Sequence, residues 1–215
     1  LNKEPLRKRG PVIYWMSRDQ RADDNWALLH AQELALASKV PLVVAYCFAP
    51  KYLNALPSHY SFMLAGLQQL EDRLRKRNIP LALLLGEPPT SLFALAEELS
   101  VSCVVTDFNP LRLPKKWKRE AARAVSIPLL EVDAHNIVPC WAASHKQEYG
   151  AYTLRPKLKR LMDTFIVEFP ALRKHPFAEA FEGFNNDWCL AHHFAGSKLN
   201  MPYPTLPGER AAAVR

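Results

Sequence analysis

Residues 42–48 read Leu-Val-Val-Ala-Tyr-Cys-Phe, seven positions with no charge, no glycine and no alternation of polar with apolar. A strand with one wet face alternates, whereas an unbroken β-branched and aromatic run of this length marks a strand covered on both sides, as in a parallel sheet. Working outward, four further runs have the same texture: Val12–Met16, Leu81–Leu85, Val101–Thr106 and Leu129–Val132. The stretches between them have helical period. From Ser58 to Arg77, Tyr60, Met63, Leu64, Leu67, Leu70 and Leu74 fall on one face, with Gln68, Glu71, Asp72 and Arg75 opposite, Glu71 and Arg75 being spaced as an i,i+4 pair. Asp23 or Asp24 is placed to cap a helix running to about Ser38. Pro88 and Pro89 open one ending near Leu99, and Pro114 opens a basic one ending near Val125. Strands alternating with crossover helices predict an α/β fold over residues 11–139. The expected form is an open, doubly wound, five-stranded parallel sheet of the Rossmann or flavodoxin type.

Such sheets bind ligands beyond the carboxyl ends of their strands. Those ends read Met16-Ser17-Arg18-Asp19, Phe48-Ala49-Pro50, Gly86-Glu87 and Asp107-Phe108-Asn109-Pro110. This mixture of aromatic surface, donors and carboxylates suits a planar molecule with polar edges, and equally suits caps and turns.

Composition narrows the function classes. With 215 residues, 49% hydrophobic and 23% charged, the chain can bury a full-sized core. Seven glycines are too few and too scattered for G-x-G-x-x-G or G-x-x-x-x-G-K-[ST], so any nucleotide must be held without a glycine cradle. No apolar run approaches the roughly 20 residues that cross a bilayer, and the basic start (Lys3, Arg7, Lys8, Arg9) has no signal-peptide core behind it. The expectation is a soluble intracellular protein without membrane partners, cytoplasmic in a prokaryote or nuclear in a eukaryote. The net charge of +7 is spread evenly, +4 over residues 1–139 and +3 over 140–215. Arg112, Lys115, Lys116, Lys118, Arg119 and Arg123 read first as a solvated helix face and second as a phosphate-facing one. Cys47, Cys103, Cys140 and Cys189 form no C-x-x-C pair and read as reduced, mostly buried thiols.

After residue 139 the texture changes. Residues 140–215 hold 11 of the 22 aromatic side chains. A helix is expected from about Leu154 to Phe169 with Leu158, Leu161, Met162 and Phe165 on one face. Pro207 to Arg215 reads as a helix that starts without a stop signal, so the chain is expected to be cut within a longer protein, as the absent initial Met also suggests. His192-His193 with Asp187 and Cys189 is a weak metal pattern, because adjacent histidines seldom converge and no second ligand pair has the spacing. Cys103, mid-strand, reads as inert rather than nucleophilic. Asp107 and Asp133, each at the end of a strand, have the placement of ribose-binding or catalytic carboxylates but read more readily as caps.

Several longer segments carry a resemblance. Val12-Ile13-Tyr14-Trp15-Met16-Ser17-Arg18-Asp19-Gln20-Arg21 with Asp24-Asn25-Trp26-Ala27-Leu28-Leu29, Thr106-Asp107-Phe108-Asn109-Pro110-Leu111-Arg112, Val132-Asp133-Ala134-His135-Asn136-Ile137-Val138-Pro139-Cys140-Trp141, Lys146-Gln147-Glu148-Tyr149 and Thr153-Leu154-Arg155-Pro156-Lys157-Leu158 occur in this order. Together they resemble the amino-terminal part of the class II cyclobutane pyrimidine dimer photolyases over roughly residues 11–210. The resemblance implies a light-driven DNA repair lyase in which reduced FAD donates an electron to a flipped-out pyrimidine dimer. It also implies an antenna-type α/β domain at 11–139, a connector at 140–206 and the start of a helical FAD- and DNA-binding domain at 207–215. The FAD site and the contact with UV-damaged DNA would lie in that helical domain, which would pack on residues 140–206, so that this chain alone would hold no catalytic residue and repair nothing. An antenna, deazaflavin or folate, would be surrounded by Ser17, Arg18, Asp19, Phe48, Met63, Asp107 and Phe108, with Phe48 and Phe108 stacking on it. His135, Asn136 and Trp141 read as fixing the turn into the connector. Two rival readings are a free-standing chromophore or nucleotide carrier, and a cryptochrome-like signalling protein without repair activity.

Overall fold

In a computed structural model, residues 1–5, 9–49, 52–177 and 184–196 are described. The five apolar runs become β1 (Val12–Met16), β2 (Leu42–Phe48), β3 (Leu81–Leu85), β4 (Cys103–Asp107) and β5 (Leu129–Val132). They form one parallel sheet in the order β3-β2-β1-β4-β5, with Tyr14 lying between Val44 and Val105. The crossovers are α1 (Trp26–Ser38), α2 (Pro57–Arg75), α3 (Pro88–Glu98) and α4 (Arg112–Ala124). The chain steps outward from β1 to β3 and then, on the other side, to β5. Right-handed crossings therefore put α1 and α2 on one face and α3 and α4 on the other. Side chains sort accordingly: Val12, Tyr14, Met16, Val44 and Phe48 pack with α1 and α2, while Ile13, Trp15, Val43, Ala45 and Cys47 pack with α3 and α4. Both sets are buried, which is why the strands carry no polar alternation.

Several boundaries differ from expectation for identifiable reasons. The cap of α1 is Asn25, whose Oδ1 accepts from the backbone N–H of Ala27 and Leu28 at 3.1 Å each. Asp24 instead takes a left-handed turn and Asp23 pairs with Arg73 in the last turn of α2 and with Arg77 just beyond it. α4 starts two residues before Pro114, which the first turn tolerates because its N–H groups have no intrahelical partner. β4 begins at Cys103, because Ser102 donates its N–H to Pro11 at the sheet's entrance. Gly10 there has φ +98, and a Cβ on it would sit 1.9 Å from the carbonyl oxygen of Ser100, so only glycine passes.

Beyond β5 come α5 (Cys140–Ala143), α6 (Ala151–Phe165) and α7 (Trp188–Phe194). α6 begins three residues earlier than predicted, carries Pro156 inside it and ends four residues earlier, and none of its residues is buried. The predicted helix at 207–215 and the end of the connector lie outside the described residues. Among the described residues no helix is long and apolar enough to cross a membrane.

The connector is strapped to the α1/α2 side by backbone-directed bonds. Gln32 exchanges two hydrogen bonds with the backbone of Arg173, donating to its carbonyl at 2.8 Å and accepting its N–H at 3.0 Å. His175 is fully buried: its N–H donates to Arg77 O at 2.7 Å, and Nε2 lies 2.9 Å from Val40 O. A carbonyl can only accept, so Nε2 carries the proton and the buried, unpartnered Nδ1 does not. Burial lowers the pKa of His175 below its ordinary 6.5. Neutral His175 is the folded form, so its stability contribution is complete above pH 6.5 and is lost as pH falls from there toward the lowered folded value. Acidification from pH 7.5 to 5.5 is therefore expected to lower the hydrogen-exchange protection factors of residues 171–177, each rate being referred to the intrinsic rate at its own pH, before those of the sheet fall, and a His175→Gln variant should lose that pH dependence.

Both edges of the sheet are closed by an asparagine amide that imitates a neighbouring peptide. Asn186 donates to Leu81 O and accepts from Leu83 N, both at 2.8 Å, on β3. Asn2 donates to Ile127 O and accepts from Leu129 N, both at 2.9 Å, on β5. Asn186 also donates to Glu71, whose other oxygen takes the Trp188 indole N–H at 3.1 Å. Exposed sheet edges template unwanted pairing, and these amides blunt them. Replacing Asn186 with alanine leaves Leu83 N–H and Glu71 short of partners. We expect a loss of about 1–3 kcal/mol in denaturant unfolding.

Candidate functional site

At the carboxyl ends of β1 and β2, under the first turns of α2, α3 and α4, lies a cavity of about 240 Å³. Trp15, Tyr46, Phe48, Tyr52, Tyr60 and Trp117 supply its aromatic wall, and all but Trp15 are fixed by a ring contact or a hydrogen bond. Tyr60 meets Phe48 edge-on at 5.4 Å and its hydroxyl accepts the N–H of Tyr52 at 2.8 Å. Tyr52 packs on Trp117 at 5.9 Å, and the Trp117 indole donates to Glu87 at 3.0 Å. The Tyr46 hydroxyl accepts from Gln20 at 3.3 Å and donates to the sulfur of Met63 at 2.9 Å. Ser17, Gln20, His59 and Asn109 add neutral polar groups to the lining. Asn109 uses Oδ1 on Leu111 N–H and His59 uses Nδ1 on Leu56 N–H, so their other nitrogens are available to a ligand. Among the described residues no Asp, Glu, Lys or Arg lines the cavity.

Of the residues expected here, Ser17, Phe48 and Met63 come together on the cavity, while Arg18, Asp19, Asp107 and Phe108 do not line it. Asp107 is a fully buried strut. Its Oδ2 accepts the consecutive backbone N–H groups of Ser17, Arg18 and Asp19 at 3.0, 2.9 and 3.2 Å, and the Tyr14 hydroxyl at 3.1 Å. Burial raises its pKa against the lowering effect of those N–H donors. Burial, then the Asp107 charge, also raises Tyr14 well above 10. Asn25 ties this strut to the cap of α1 by donating to Tyr14 at 3.1 Å. Asp19 is buried too, its carboxylate taking Arg21 at 2.7 Å. Phe108 meets Trp141 edge-on at 5.6 Å and is not among the residues lining the cavity with Phe48.

Asp133 makes the turn into the connector: its carboxylate accepts from the backbone of His135, Asn136 and Cys140 and from the Asn136 amide. Burial raises its pKa, but the Asn136, Cys140 and His135 donors outweigh this and hold it below the ordinary carboxylate value. Lys118, expected on a solvated face, is only 2% exposed and pairs with Glu131 while donating to Asp107 O at 2.8 Å. Cys47 and Cys103 are buried, and burial pushes Cys103 up to about 12, but Cys140 and Cys189 are exposed, contrary to the reading of mostly buried thiols. His192 is buried and His193 exposed, so the pair does not converge.

A larger groove of about 580 Å³ runs between α1, the end of β5 and the connector, past Trp26, Ile137, Trp141 and Phe165. Of its carboxylates, Asp133 and Glu131 are taken by the turn and by Lys118, while Glu33 stands exposed at the rim, 3.7 Å from His30. Size favours the groove, but convergent, partnered aromatic walls with free neutral donors favour the smaller cavity as a binding site.

A family model described as DNA photolyase matches residues 12–176. Among curated proteins, the deoxyribodipyrimidine photo-lyase of Potorous tridactylus is 46% identical over 178 residues, covering 82% of this chain and 34% of the relative. That of Oryza sativa subsp. japonica is 44% identical, covering 94% and 42%, and that of Arabidopsis thaliana is 43% identical, covering 76% and 33%. The chain thus spans about a third to two fifths of the length of these relatives. Two solved structures share the fold at low identity: an archaeal photolyase from Sulfolobus tokodaii (TM-score 0.69, 15% identity, 95% of this chain and 45% of that one) and the cryptochrome of Synechocystis sp. PCC6803 (TM-score 0.63, 14% identity, 87% and 42%). With the parallel sheet, its order and three quarters of the sequence all in agreement, this chain belongs to the DNA photolyase family.

Proposed function

We propose that this chain is the antenna-carrying α/β part of a class II deoxyribodipyrimidine photolyase, and that the cavity beyond β1 and β2 holds the antenna. The observation that carries this reading is the cavity's chemistry: aromatic walls, neutral donors and, among the described residues, no charged side chain. An antenna absorbs light and passes on the excitation, so its site must hold a planar ring in one orientation and needs no acid, base or nucleophile. The residues present meet that requirement. Aromatic faces take the ring by stacking, and Ser17, Gln20, His59 and Asn109 fix its edge. One relative in fold, the Sulfolobus protein, is described with two FAD molecules and a light-harvesting cofactor, which agrees with a flavin-like tricycle here. We assign FAD chemistry and the contact with UV-damaged DNA to the part of the relatives that this chain does not span.

The connector supports the same division. Tyr149 and Tyr152 are 90% and 82% exposed, Trp141 is 45% exposed, and α6 carries the half-buried stripe Leu154, Leu158, Leu161 and Phe165. Such surface fits packing against a further domain. Residues 171–177 and 184–196, by contrast, are already bonded to the α/β core, so we restrict the docking face to residues 140–165. Alone, the chain should bind a hydrophobic dye there and self-associate at high concentration. A compact monomer with α6 fully protected from hydrogen exchange would contradict this.

The direct test is a fluorescence titration of the purified chain with a deazaflavin, a flavin and a reduced folate. The proposal expects saturable one-to-one quenching of Trp15 and Trp117 by one of them. Absence of saturable binding by all three would overturn it.

A further inference from the structure

We propose that the outer face of α4 is a contact strip for the phosphate backbone of duplex DNA, acting without regard to any lesion and separate from the cavity. Arg112, Lys116, Arg119 and Arg123 stand at i, i+4, i+7 and i+11, one exposed row along the helix, and exposed Lys115 flanks it. Among the described residues one carboxylate answers them: Glu120 reaches Lys116 at 3.7 Å, while Glu87 is engaged by the Trp117 indole.

This arrangement works against the helix that carries it. Like charges at i,i+3 and i,i+4 repel, as Arg112 with Lys115 and Lys116 and Arg119 with Lys115 and Arg123 do here. The first turn of α4 holds cations and no acidic residue, against the positive end of the helix dipole. Lys118 shows the contrasting treatment, because the one lysine turned inward is given a carboxylate. A row of cations with, among the described residues, a single carboxylate, Glu120 on Lys116, and with Arg119 otherwise bonded only to the Lys115 carbonyl at 3.3 Å, fits a regular polyanion. From Arg112 to Arg123 the helix rises roughly 16 Å, a length in which a duplex presents about five phosphates on each strand. An acidic protein is the lesser fit, because protein hot spots need buried aromatic or apolar anchors, and Trp117 on this helix lines the cavity instead.

The test is fluorescence anisotropy of an undamaged labelled duplex with the full chain, between about 50 and 200 mM salt. The variant R112Q/K116Q/R119Q/R123Q should bind at least about 30-fold more weakly at the lower salt, with a log–log salt slope shallower by about 3.6, from roughly 0.9 for each of the four phosphate contacts removed. Arg112→Gln and Arg123→Gln alone should each reduce the slope by about one, which keeps the test open should the quadruple variant fold poorly. K39Q/K76Q/R173Q/K174Q removes the same charge from the α1/α2 face, on the other side of the sheet from α4, and should lose less than threefold. Unchanged affinity in the α4 variant would overturn the proposal, as would an equal loss in the control set. Equally tight binding of polyglutamate, lost in the same variant, would reassign the strip to an acidic protein. Chromophore titration of the α4 variant should be unaltered, so the cavity and the strip succeed or fail separately.

Discussion

Replacing Asp107 with alanine should destabilise the chain by roughly 3–4 kcal/mol and abolish ligand binding in the cavity, although Asp107 does not line it. One carboxylate oxygen gathers three consecutive backbone N–H groups of the β1 loop together with the Tyr14 hydroxyl. Alanine leaves all four donors buried or half-buried without an acceptor, each costing about 1–3 kcal/mol before water or relaxation offsets part of it. Ser17, the first of those loop residues, lines the cavity, so the loop's loss of shape is felt at the site. Asp107→Asn keeps an acceptor oxygen of similar reach and relieves the buried charge, so its loss should be about half as large or less. Denaturant unfolding followed by far-UV circular dichroism, with ligand titration of the folded fraction, separates the two variants. If alanine at 107 changed stability by less than about 1 kcal/mol, the strut would have no structural weight.

The second large effect is on binding with little effect on folding. Met63 lines the cavity from α2 and is only half-buried. Met63→Trp should fill the space a planar ring would occupy and lower ligand affinity at least about 100-fold, or roughly 2.7 kcal/mol. Because the added bulk grows into a void rather than into packed core, unfolding should shift by no more than about 1 kcal/mol. Retention of binding in this variant would place the ligand elsewhere.

The sheet was legible because parallel strands buried on both faces leave an unmistakable imprint, seen in Leu42–Phe48 and its four counterparts. Helix α2 was legible because its apolar stripe repeats over five turns. Boundaries were less so, since caps depend on local competition. Asp23 and Asp24 are as good caps as Asn25 on paper, yet Asp23 is drawn off to Arg73 and Arg77. At the cavity, residue type pointed to the loops that surround it, and three of the seven side chains named from the sequence, Ser17, Phe48 and Met63, line it. Asp107 and Phe108 adjoin one another in sequence, yet Asp107, the last residue of β4, becomes a buried strut while Phe108, just past it, packs on Trp141. The missed wall residues Tyr60 and Trp117 sit on helices that cross over from distant strands, and only the i,i+3 spacing of Tyr60 and Met63 hinted at a shared face. Asn186 and Asn2, which close the sheet edges, gave no signal at all, because their partners are 105 and 125 residues away along the chain.

A co-crystal structure of this chain with a deazaflavin or flavin chromophore puts the central claim to the test. The account predicts the ring system seated in the 240 Å³ cavity, with a face toward Phe48 and Tyr60 and its polar edge toward Ser17, Gln20 or Asn109. A ring found instead in the groove beside Trp26 and Trp141, with the smaller cavity collapsed or filled by its own side chains, would contradict it.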